Sequence, residues 1–233
     1  MRIRCVWEHN GPDTLLYAEN VPGAYTRGAS LEEAREKMAH EIRGYRLWQG
    51  LLPQDVYELE IVQEQESQLQ ICDADSDVIF RAETKPLTET EYRELKALAL
   101  QSAADFLRLY RSIPDPDVGL PGERRTFYGP VPRTAREMYE HTKQVNAYYF
   151  GEINVEADNE GDILHCRQRG FEALERQSDY LQNRVLEGSY GELWSLRKVL
   201  RRFIWHDRIH AKAMYRMAVR TFGPDAVCNV FRF

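Results

Sequence analysis

The chain has 233 residues, 43% of them hydrophobic and 29% charged, with a formal net charge of −6. That apolar share sustains a core and excludes wholesale disorder, and the absence of any run of about 18 apolar residues excludes a membrane-spanning helix. The opening Met-Arg-Ile-Arg-Cys-Val-Trp-Glu-His lacks the apolar stretch of a signal peptide, and four scattered cysteines (Cys5, Cys72, Cys166, Cys228) without a C-x-x-C pair read as reduced thiols of a cytoplasmic protein.

The charge is unevenly spread. Through Pro86 there are 9 basic and 16 acidic residues, a balance of −7, whereas the remainder carries +1. A composition shift at an X-Pro step predicts a boundary, with one domain over residues 1–85 and a second over 87–233. In the first, Arg2–His9 alternates apolar and polar residues, and Asn10-Gly11-Pro12-Asp13 turns it into a second strand, Thr14–Glu19. A short strand at Ala24–Arg27 follows the Pro22-Gly23 break. Ser30 and Glu33 form a capping box that opens a helix to about Trp48. Further strands are expected at Val56–Glu64 and Asp77–Glu83, which makes this a small α+β module.

The second part reads as helices. Capping boxes are expected at Thr88/Glu91, Thr134/Glu137 and Ser189/Glu192. One apolar stripe runs through Tyr92, Leu95, Ala99, Phe106, Leu109 and Ile113, and another through Met138, His141, Val145 and Tyr148. A third, starting near Asp162, takes Phe171, Leu174, Leu181 and Val185. The fourth takes Leu196, Val199, Phe203, His206, His210, Ala213 and Met217. Four inward stripes predict a four-helix bundle, so the fold class is α+β: a small α+β domain followed by an all-α bundle. The proline-rich connection from Ser112 to Arg133 is expected to wrap one end of that bundle.

His206 and His210 lie four residues apart and therefore stack on one helix face, and His141 lies on a second inward stripe. Three imidazoles aimed at a bundle interior can converge on one divalent ion and leave a coordination position open. The competing reading is a set of hydrogen-bonded core histidines. Asp207, between the pair, either orients a ligand from behind or is solvated; no basic residue stands at i±3 or i±4, and solvation is the expectation. His9, His40 and His165 read as surface residues. Tyr139, Tyr149 and Trp205 are candidate pocket linings.

With Glu140-His141 and Trp205-His206-Asp207-Arg208-Ile209-His210, the stretch Leu87–Val219 resembles the DinB-like family of four-helix-bundle metalloproteins. The resemblance implies His141, His206 and His210 as ligands of one divalent metal, zinc or nickel. It also implies a metal-dependent transferase or hydrolase acting on a small molecule through a thiol or water nucleophile, the thiol being of low molecular weight. Residues 1–85, through Val21-Pro22-Gly23-Ala24-Tyr25-Thr26-Arg27-Gly28-Ala29-Ser30-Leu31-Glu32-Glu33-Ala34, resemble the HicB-like antitoxin module, which in its family binds a toxin ribonuclease. That resemblance implies the alternative function, a non-enzymatic interaction or regulatory protein whose N-terminal domain binds a protein partner or forms a homodimer. The basic residues of the last helix, Arg197, Lys198, Arg201, Arg202, Arg208, Lys212, Arg216 and Arg220, read as a solvated outer face salt-bridged to acids such as Glu172 and Glu175. Nucleic-acid binding is not expected.

Overall fold

The computed structural model describes the whole chain except residues 55, 120, 121, 123, 124, 127 and 128. It is a mixed α+β protein. Strands β1 (Arg2–Asn10), β2 (Asp13–Ala18) and β3 (Tyr25–Gly28) form an antiparallel meander. Helix α1 (Leu31–Trp48) crosses over to β4 (Glu58–Glu66), which pairs parallel with β1, so the sheet order is β3-β2-β1-β4. The Asn10–Asp13 turn forms as expected, with Gly11 at φ +57°, where a side chain would be strained. Ser30 caps α1 by accepting the Glu33 N–H, while the Glu33 carboxylate reaches back to the Ala29 N–H. Alternation along β1 places Ile3 and Cys5 in one apolar cluster and Val6 in another, so both faces of this strand are buried.

Residues 77–83 are not a strand. Val78 and Phe80 are buried as the alternation implied, but the backbone bonds go to side chains. The N–H groups of Asp77 and Val78 donate to Glu8, Phe80 N–H donates to Glu83, and Gln63 bonds Ile79 O and Arg81 N. A 3₁₀ turn follows at Arg81–Thr84. Buried carboxylates and an amide thus occupy the donors and acceptors that a ladder would need.

The C-terminal part contains α2 (Glu89–Arg111), α3 (Ala135–Gly151), α4 (Ile163–Leu174) and α5 (Leu196–Phe222). Thr88/Glu91 and Thr134/Glu137 form full capping boxes, and Asp162 caps α4. Ser189/Glu192 does not start a helix: Ser189 lies in a 3₁₀ turn between two-residue strands β7 (Leu186–Glu187) and β8 (Leu193–Trp194). The cap of α5 is Ser195, while Glu192 pairs with Lys198. Helix α4 stops at Leu174, so Leu181 and Val185 lie beyond it, in a 3₁₀ turn and just before β7.

End contacts set the helix directions. Phe106 and Tyr110 near the end of α2 stack on Tyr139 near the start of α3, and Arg111 reaches Asp162 at the start of α4. Tyr92 at the start of α2 donates to Glu175 just past α4. Arg197 reaches Pro86 O and Glu91, and Ser112 Oγ accepts from Cys228 N beyond α5. Helices α2 and α5 therefore run parallel, and α3 and α4 run the opposite way. The described parts of the 112–133 connection fold back on the start of α3. Arg136 pairs with Asp117, Gly119 bridges Thr134, and β5 (Arg125–Thr126) pairs with β6 (Gly129–Pro130). The rest of the expected wrap, including Pro121, lies outside the described residues.

The cationic face of α5 is not an outer face. Lys198, Arg201, Arg202 and Arg208 are buried, at most 9% exposed, against the N-terminal half. Arg201 forms a two-pronged pair with Glu83, Arg208 and Lys212 share Glu41, and Arg202 donates to Ser76 O. Glu175, expected as a partner of α5, instead pairs with Lys96 of α2. The β2–β3 turn presses on the same helix: a Cβ on Gly23, at φ +86°, would stand 2.4 Å from Ile204 Cγ2. One apolar cluster runs continuously from Ile3, Met38 and Trp48 to Phe106, Ile204 and Met214. No helix among the described residues is long and apolar enough to cross a membrane.

Candidate metal centre

The buried side of α3 is set by Ala135, Met138, Tyr139, Thr142, Asn146, Tyr149 and Phe150. This differs from the expected stripe by a rotation that puts Tyr148 39% exposed and brings two polar residues inside. Thr142 donates to Met138 O, and Asn146 donates to Asp158 O and Cys166 O, while Asn146 Oδ1 is buried with no partner among the described residues. His141 then falls at the edge of the helix interface, with an outer edge facing solvent. On α5, His206 is buried and His210 half-buried.

The three imidazoles meet. One ligand nitrogen from each of His141, His206 and His210 lies within 4.8 Å of the others. Ring centroids are 4.4 Å apart for His206–His210, 4.6 Å for His141–His210 and 5.3 Å for His141–His206. The Nε2 atoms of His206 and His210 are 3.2 Å apart. Two nitrogens bound to one tetrahedral ion at about 2.0–2.1 Å stand about 3.3–3.4 Å apart, so this pair is already at ligand spacing. At that distance, one neutral ring donates Nε2–H to the other, or both direct lone pairs at a shared cation.

The surroundings keep the rings neutral. Burial lowers the pKa of His206 well below the ordinary histidine value, and His210, His141, Arg202 and Arg167 lower it further. Burial and then His141 bring His210 down to about 3. Packing around the ring lowers His141 as well. Neutral imidazole is the ligand form, so lone pairs are available at neutral pH. Tyr149 stands edge-on to His206 at 6.0 Å and Trp205 tilts against it at 6.4 Å. Tyr139 does not line the site: it stacks on Phe106 and Tyr110, and its hydroxyl accepts the Ile163 N–H.

Asp207 is fully buried, not solvated. Arg167 of α4 donates to its two oxygens at 2.5 and 3.1 Å, also reaches Ala99 O of α2, and stacks over Phe203 at 4.1 Å. Burial pushes the Asp207 carboxyl up and Arg167 pulls it back down. Its bonds thus go to a guanidinium and not to an imidazole, and His206 Nδ1 is buried without a hydrogen-bond partner among the described residues. Asp207 therefore orients no ligand by direct contact. His40 and His165 are exposed, while His9 stacks on Trp7 at 4.2 Å beside Glu64. No family model, curated protein or solved structure matches this chain. The site therefore rests on its own geometry.

The sequence reading missed Arg167 and Glu41, the partners on either side of the imidazole-bearing turn. Neither has a local signal, because both partnerships span more than 39 residues of chain. The residues of α5 beside the histidines reach four different neighbours in succession. Trp205 packs on Tyr17 and Tyr25 of the sheet, His206 faces α3, Asp207 takes α4, and Arg208 takes α1.

Proposed function

We propose that this chain binds one divalent metal ion, zinc or nickel, through His141, His206 and His210, and works as a DinB-like metal-dependent transferase or hydrolase on a small molecule. The observation that carries the reading is the convergence of three imidazole nitrogens within 4.8 Å on two antiparallel helices. The resemblance over Leu87–Val219 points to the same three residues. An ion held there would lower the pKa of a thiol or water presented to it and so supply a nucleophile at neutral pH. The chain contributes three neutral ligands, which leave part of the coordination sphere free, and the solvent-facing edge of His141 gives access from outside. Tyr149 and Trp205 wall the buried side at His206. The four free cysteines fit a reducing, cytoplasmic setting.

The test is metal content. Protein purified without a polyhistidine tag and reconstituted with zinc or nickel binds one equivalent per chain, and His210→Ala loses it. No bound ion after reconstitution refutes the reading. A second reading, a HicB-like partner-binding or dimerising role for residues 1–85, is favoured by the exposed apolar residues Leu47, Leu51, Leu52 and Val56. A chain that stays solitary in sizing and copurification counts against it.

A further inference from the structure

On the turn of α5 that carries His210, Ile209 packs on the apolar cluster of the sheet, and both cations turned toward α1 share one carboxylate, Glu41. Arg208 is 1% exposed, and its one hydrogen bond to a described residue runs from Nη2 to Glu41 of α1 at 2.6 Å. Its Nε and Nη1 are buried with no hydrogen-bond partner among the described residues. The guanidinium is otherwise enclosed by the rings of Tyr45, Trp48, Phe231 and Phe233, at 4.8–5.8 Å from their centroids. Lys212, one turn further, donates to the other Glu41 oxygen at 2.7 Å. The two cations stand two residues before and two residues after His210, on the side of the helix turned toward α1. A buried guanidinium deprived of its counter-charge is driven toward water or another anion, and with four aromatic rings enclosing this one, that drive bears on the helix turn that carries it.

Resting on the reading of the three imidazoles as one site, we propose that Glu41 is a positioning residue for that site. By clamping Arg208 and Lys212, it fixes the rotation of α5 at which His206 and His210 meet His141. The N-terminal half thereby acquires a part in the site without contributing a ligand.

Glu41→Gln keeps the shape and removes the charge. Ile3→Ala, in the sheet core, is the control that weakens the N-terminal half without altering the clamp. Two measurements are made on the full chain: zinc affinity by competition with a chromophoric chelator, and imidazole resonances by long-range proton–nitrogen correlation on the metal-free protein. Glu41→Gln is expected to weaken zinc binding about tenfold, within the range by which residues in a coupling network act, and to shift the His206 and His210 resonances while leaving His9 and His165 in place. Ile3→Ala should leave both readouts near wild type. Unmoved His206 and His210 resonances in Glu41→Gln, or equal shifts in Ile3→Ala, overturn the proposal. A wild-type chain that takes up no zinc while Glu41→Gln still moves those resonances refutes the metal reading and leaves the positioning role standing.

Discussion

Asp207 and Arg167 show how a buried charge pair is read energetically. Each is fully buried, and the attraction between them offsets a desolvation cost of several kcal/mol per ion. Removing one partner leaves the other charged and dry, so Asp207→Ala should lower unfolding free energy by about 3–5 kcal/mol in urea titrations. The double variant Arg167→Met/Asp207→Leu should recover most of that loss, because a packed apolar pair needs no counter-charge. At Glu41, burial pushes the carboxyl up, but Arg208 and Lys212 outweigh it and hold the pKa below the ordinary glutamate value of 4.5. A depressed folded-state pKa means stability that is present above about pH 4.5 and lost as pH falls through the folded value. The stability gap between wild type and Glu41→Gln, measured by denaturant titration, is therefore expected to be full at pH 6–7 and to shrink below about pH 4.5.

Among the elements, local signals and tertiary placement part company at identifiable residues. Caps at Ser30, Thr88 and Thr134 were legible because the cap and its third residue are chain neighbours, and the start of α4 near Asp162 was legible as well. So was the i,i+4 histidine pair. The inward face of α3 was not, because Thr142 and Asn146 look like surface residues until Met138 O, Asp158 O and Cys166 O are seen to bond them. The length of α4 was overestimated because Leu181 and Val185 continue its apolar spacing after the helix has ended. The cationic face of α5 was misplaced for a similar reason: charge reads as exposure unless Glu41 and Glu83, more than 110 residues upstream, are known to face it. Gly170 in α4 offers a sharp test of packing against propensity. Alanine gains about 1 kcal/mol of helix propensity there. Its Cβ, however, would stand 2.1 Å from Phe150 Cε2, and that ring is locked against Phe171 and Phe203. Overpacking costs about 1–3 kcal/mol, so Gly170→Ala should be destabilising, with a lower midpoint in thermal melts.

At the scale of the molecule, the two parts are joined by apolar burial and by charge. The cluster running from Ile3 to Met214 and the pairs on α5 leave neither part a separate surface. Thermal unfolding is therefore expected as one transition, with far-ultraviolet signals and tryptophan fluorescence changing together. A ligand that binds only the folded state raises its stability, and zinc at 100 times its dissociation constant adds about 2.7 kcal/mol. For a chain of this size that corresponds to a rise in melting temperature of about 5–10 °C, which His210→Ala should abolish.

The last residues of the chain complete the wall around Trp48: Phe231 lies 5.2 Å from that ring and stacks on Phe233. During synthesis, Trp48 leaves the ribosome well before α5 and this aromatic tail exist. At about 5–20 residues per second, the delay is about 10–40 s. Through that interval the strands already made cover Ala34 and Met38, but the later turns of α1 lack Phe231 against Trp48, and Glu41 lacks both of its cations. A ribosome stalled before Arg208 therefore holds a nascent chain in which the buried Glu41 carboxylate has neither Arg208 nor Lys212 to pair with.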